Sequence, residues 1–164
     1  MKKLFRKDKL LLEELQDQYG KETIASAIMA IANANSETAT PQECVLDFIM
    51  FLEGVRIRMR EIHWSAERHS IHKLTDDIIK NTESFEDEIA EDLMGVCGFR
   101  IKVGGVCPVM PNSVDLIDVL EEFYIKTIEL MQCVGNDNKF VGIKNTLEDM
   151  CRYIGQSKYL ATMR

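Results

Sequence analysis

The chain has 164 residues, 46% of them hydrophobic and 29% charged, which suits one globular domain with a sizeable core and excludes a disordered polyelectrolyte. Its net charge of −7 argues against a general nucleic-acid binder, and no run of about 18 apolar residues suggests a membrane span. Met1 to Leu12 lack the long apolar stretch and small-residue cleavage site of a secretory signal, so a cytoplasmic protein with no membrane partner is expected.

The charge is unevenly placed. Residues 1–9 hold Lys2, Lys3, Arg6, Lys7 and Lys9 against Asp8 alone, so this arm carries +4 and the remainder −11. Such an arm suits either a solubilising tail or contact with DNA, the latter strengthened if several copies act together. Leu10–Tyr19 and Lys21–Asn33 read as two short helical segments divided by Gly20, with Ile24, Ile28 and Ile31 as an apolar stripe. Residues 1–40 are therefore expected to form an N-terminal helical extension, and 41–164 the main domain.

Thr40-Pro41-Gln42-Glu43 supplies an N-cap, proline at the first helical position and a glutamate that completes a capping box. A long helix should start there, with Phe48, Leu52, Val55, Met59, Ile62 and Ala66 as its apolar stripe and His63 beside it. A tight turn over 67–70 leads to a second long helix from about Ile71 to Val96, antiparallel to the first because the connection is short. Residues 95–112 lose helical periodicity and read as a loop, with a small hairpin at Gly104-Gly105. Asn112 or Ser113 can cap a third helix ended by Gly135, and Asp137 can cap a fourth that carries Phe140, Ile143, Leu147, Met150, Ile154 and Leu160. Two helical hairpins joined by a longer connection predict an all-α, ferritin-like antiparallel four-helix bundle.

Five cysteines, at 44, 97, 107, 133 and 151, include no CxxC pair and leave one unmatched in any disulfide scheme. Packing roles in a reducing compartment are expected of them. Trp64 is expected in the core, and His69 as an ordinary turn residue.

His63, His72, Asp76, Asp87 and Glu91 place five potential metal ligands in one stretch of the first two helices. At 100° per residue, His72, Asp76, Asp87 and Glu91 fall within an arc of roughly 100° on the second helix, opposite Leu74, Ile78, Ile89 and Leu93. Imidazole with carboxylate suits iron, zinc or manganese, whereas carboxylates alone would favour calcium or magnesium. The other reading is a solvated face, since Lys73 and Lys80 share it. Ile79, Ala90 and Met94 along its edges suit a second contact surface.

From Glu61 to Gly98 the order HW, a turn, HxxxD and then DxxxE resembles the Dps or mini-ferritin family. That resemblance implies a ferroxidase and iron-storage protein that oxidises Fe(II) with peroxide or dioxygen. It further implies that His63, His72 and Asp76 of one subunit face Asp87 and Glu91 of a two-fold partner, so the iron site lies in a homodimer. A dodecameric cage is the larger assembly implied, which the N-terminal extension would either decorate or prevent. The connection between His63 and His72 is shorter than the family pattern, so the place of His63 depends on how that turn is built. The competing expectation is a non-catalytic ferritin-like structural or assembly protein, DNA-associated or not.

Overall fold

The computed structural model describes residues 39–102 and 107–163. The basic arm at 1–9, the helical pair expected at 10–33 and the Gly104-Gly105 hairpin lie outside the described residues. The chain divides between Ala39 and Thr40, and the described helices all belong to the second unit.

Among the described residues every regular element is helical: α1 (Pro41–Ser65), α2 (His69–Cys97), α3 (Leu116–Val134), a 3-10 turn (Asn138–Phe140) and α4 (Val141–Thr162). No helix there is long and apolar enough to cross a membrane.

Local chemistry sets the boundaries. Thr40 Oγ1 accepts from the Glu43 amide and Glu43 returns a carboxylate to the Thr40 amide at 2.8 Å, closing the expected capping box with Pro41 in the first turn. The Thr40 hydrogen bonds hold the Glu43 carboxyl below the usual carboxylate range. The α3 cap is Asp115, not Asn112 or Ser113. The Asp115 carboxylate accepts from the Ile117 and Asp118 amides, while the Ser113 hydroxyl accepts from the Asp115 amide one step earlier. Gly135, at φ 55°, ends α3 in a conformation that a side chain would resist. Asp137 caps the short 3-10 turn, so α4 proper begins at Val141.

The core is one cluster drawn from all four helices, including Leu52, Val55 and Met59 of α1, Ile78 and Ile89 of α2, Phe123 of α3, and Leu147, Met150 and Ile154 of α4. Each such side chain contributes about 1.5–3 kcal/mol of burial. Two residues of the expected α1 and α4 stripes miss it, Ala66, half-buried at the C-cap of α1, and Leu160, 42% exposed, and on α3 Ile125 is 47% exposed. Ile125 follows Phe123 by two residues, about 200° round the helix, and so points away from the face Phe123 buries. Trp64, expected inside, is 75% exposed, because it follows Ile62 by the same two residues at the end of α1.

Pairs across the seams fix the topology. Phe51 meets Phe123, and Cys44 bonds Cys133, so α1 and α3 run antiparallel. Phe85 meets Tyr153 and Asp92 approaches Gly142, so α2 and α4 run antiparallel too. With α1–α2 and α3–α4 forming hairpins, α2 and α3 point the same way, and the segment from Gly98 to Asp115 must travel the length of the bundle. This crossover is pinned to α1: the Val109 amide donates to the Met50 carbonyl at 3.0 Å, and Arg58 donates to the Pro111 carbonyl at 3.1 Å. Gly54 makes the approach possible, since a Cβ there would overlap the Val109 carbonyl.

The Cys44–Cys133 disulfide corrects the expectation that all five cysteines serve packing. The positions lie 89 residues apart, and only the antiparallel α1–α3 seam brings them together. Cys97, Cys107 and Cys151 are free thiols.

Candidate metal centre

The turn between α1 and α2 is only Ala66 to Arg68, and α2 starts with neither a side-chain cap nor an acidic residue in its first turn. What holds it is a reciprocal pair of histidines. His72 Nδ1 lies 3.0 Å from the His63 carbonyl, and His63 Nδ1 lies 3.1 Å from the His72 carbonyl. The rings stack between these bonds, with centroids 3.6 Å apart and planes 25° apart. The His63 carbonyl, which also accepts from the Ala66 amide at 3.3 Å, thereby gains a second donor at the end of α1.

This arrangement settles the tautomers by chemistry. A carbonyl oxygen can only accept, so Nδ1 must carry the proton on both rings. His63 Nδ1 also faces Thr75 Oγ1 at 3.2 Å and Asp76 Oδ1 at 3.4 Å, both able to accept. Thr75 is fully buried and donates its own proton to a backbone carbonyl of α2, Ile71 or His72, each at 2.9 Å, which leaves its oxygen facing His63. In the neutral form of each ring, Nε2 is then the nitrogen without a proton. A ligating imidazole is commonly prepared in this way, with Nδ1–H tied to a carbonyl or carboxylate and Nε2 left for the metal. Neither Nε2 is among the buried side-chain atoms that lack a partner.

His63, His72 and Asp76 are therefore brought together at one end of the bundle, with the two rings half-buried and Asp76 half-exposed. Asp87 and Glu91 are not part of this group. They sit eleven and fifteen residues beyond Asp76 on α2, about 16 and 22 Å along the helix axis. Asp87 is exposed in a depression with Arg56, Glu83 and Glu86, and Glu91 is exposed near Met94, Phe99 and Arg100. Accordingly, no group of three or more His, Cys, Asp or Glu side chains among the described residues is disposed to hold a metal ion within one chain.

Two contributors carry little signal in the sequence. Thr75 orients His63, and its only mark is its position one turn after His72. Arg56 crosses from α1 to Glu86 at 3.0 Å and Glu83 at 3.2 Å, while bonding Glu53 at 2.8 Å on its own helix. Burial works against its charge, but the Glu86 hydrogen bond and the three carboxylates outweigh it and raise the guanidinium above its ordinary value. Burial pushes the Glu86 carboxyl up, an effect that Arg56 only partly offsets.

No protein-family profile, curated protein or solved structure matches the chain.

Proposed function

We propose that the protein is a Dps-like, ferritin-type bundle that binds and oxidises Fe(II) at a site shared between two copies. The observation that carries this reading is the His63–His72 pair, in which both Nδ1 atoms are tied to carbonyls, so that in the neutral rings Nε2 is the nitrogen open to a metal. Two imidazoles beside Asp76 form an incomplete shell suited to a transition metal. The remaining anionic donors lie too far along the same helix to close it. Asp87 and Glu91 of a second, antiparallel copy of α2 could complete it, each copy supplying the other. The course of the crossover, with α2 parallel to α3, agrees with the ferritin-like variety of bundle. Fe(II) would be the substrate, peroxide or dioxygen the electron acceptor, and the anionic Asp87 and Glu91 would favour the ferric product.

Anaerobic Fe(II) titration followed by stoichiometric peroxide, with native mass taken on the same sample, tests this. The expected outcome is a ferric absorbance that falls at least tenfold in both His72→Ala and Asp87→Ala/Glu91→Ala, in a dimer or larger assembly. A mixture of those two variants should regain signal if the site is shared, because one interface then carries an intact set of ligands. Equal ferric signal in wild type and variants sinks the proposal.

A second reading is favoured by the absence of a three-ligand group among the described residues. There the histidines are a structural brace and the bundle is a non-catalytic assembly protein. Metal-free protein whose His72→Ala variant loses stability but no metal would establish it.

A further inference from the structure

The Cys44–Cys133 disulfide forms part of the wall of a cleft of about 430 Å³ between α1 and α3, whose apolar side is built from Phe48, Phe51, Val109 and Leu130. Both cysteines are half-buried, so the bond is neither sealed in the core nor fully in solvent. The cleft is within the size range of small-molecule sites. We propose that this disulfide is a directional thiol-exchange site, at which a small external thiol attacks Cys133 and expels Cys44. Nothing in this depends on the metal site.

Direction comes from the helix ends. Cys44 is the fourth residue of α1, and its amide donates to the Thr40 carbonyl at the cap. The amide-rich end of α1 favours negative charge on its sulfur. Cys133 is the last residue but one of α3, beside Gly135, where unpaired carbonyls disfavour a thiolate. In exchange the sulfur that leaves most readily is the one whose thiolate is better stabilised, which is Cys44.

The charged groups around the bond leave this asymmetry standing. Glu43 is committed to the Thr40 cap, and Glu129 is paired with Lys126 at 2.7 Å. Among the described residues lining the cleft, Asp47, one turn from Cys44, opposes charge on that sulfur, and Glu129, one turn from Cys133, opposes it on the other. Among the three free thiols, Cys151 is a weak internal competitor, because burial and then Glu148 hold it protonated.

The step balances without a further reagent. The external thiolate forms a bond to Cys133 Sγ, the Cys44–Cys133 bond breaks, and its electron pair leaves on Cys44 Sγ. A second external thiolate then attacks its own kind in the mixed disulfide, releasing the oxidised small disulfide and the Cys133 thiolate. The protein pair has gained two electrons and two external thiols have lost them.

The test uses the full chain, native, with cysteamine as the thiol. The reaction is stopped with a maleimide and the adducts are located by peptide mass mapping. Cysteamine should lie on Cys133 and maleimide on Cys44, in about fivefold excess over the reverse, the scale set by two opposed helix ends. Repeating it in Cys97→Ser/Cys107→Ser/Cys151→Ser removes thiol shuffling, and should leave the ratio unchanged. An even distribution, a preference for Cys44, or no adduct until urea is added overturns the proposal.

Discussion

Arg56 shows how a single side chain can hold charge inside a seam. Its guanidinium is the cation that Glu86 contacts on α2, and both side chains are largely buried. Removing the cation leaves a desolvated carboxylate, so Arg56→Ala should cost about 2 kcal/mol at neutral pH. Burial has already raised the Glu86 carboxyl, and without Arg56 it rises further. A group whose folded value is raised binds its proton more tightly in the native state. The penalty is therefore present at neutral pH and relieved as pH falls through the raised value. Urea midpoints of wild type and variant should converge between pH 7 and pH 4.5, and a gap that widens in acid would contradict this. The histidines differ in kind. Their place depends on backbone carbonyls, which no residue pattern advertises, so the sequence marks His63 and His72 only as candidate ligands and does not reveal the mutual brace.

The helices are legible wherever a local signal exists. Thr40-Pro41-Gln42-Glu43 marks the start of α1, and Gly135 marks the end of α3. Asp115 displaces Ser113 as the α3 cap because the carboxylate accepts from two amides at once, while Ser113 bonds the Asp115 amide. Thr40→Ala should cost about 1 kcal/mol at pH 7. The Glu43 half of the box adds a pH signature. Its carboxyl is held low by Thr40, so its contribution is present above the ordinary glutamate value and lost as pH falls through the lowered one. Thermal midpoints from pH 7 to pH 3 should therefore drop less steeply in Thr40→Ala than in wild type. A parallel fall in both would show that the box does not titrate with the fold.

At the scale of the whole molecule the crossover decides which helices become neighbours. Reading hairpins from short turns is sufficient for α1–α2 and α3–α4. The seam between α1 and α3 joins residues far apart in the chain, and neither the Cys44–Cys133 bond nor the pairing of Phe51 with Phe123 has any periodic signature. The distance along α2 from Asp76 to Asp87 and Glu91 is legible from rise per residue alone, whereas what stands opposite them is not. Gly54 is the point on which the crossover rests. Gly54→Ala would drive a methyl into the Val109 carbonyl, backbone against backbone, and should cost about 1–3 kcal/mol. If the urea midpoint stays at the wild-type value, the Val109–Met50 contact does not hold the crossover in solution.

Trp64 is the only indole in the chain, and it stands 75% exposed immediately after His63. Its emission has no second source to dilute it and starts from a water-facing ring. Any event at the end of α1, whether an ion arriving at the imidazoles or another copy covering them, passes within one residue of this fluorophore. The molecule thus carries its own optical gauge at the place where its chemistry is proposed, and a shift toward shorter wavelength would separate coverage by a partner from quenching by a metal.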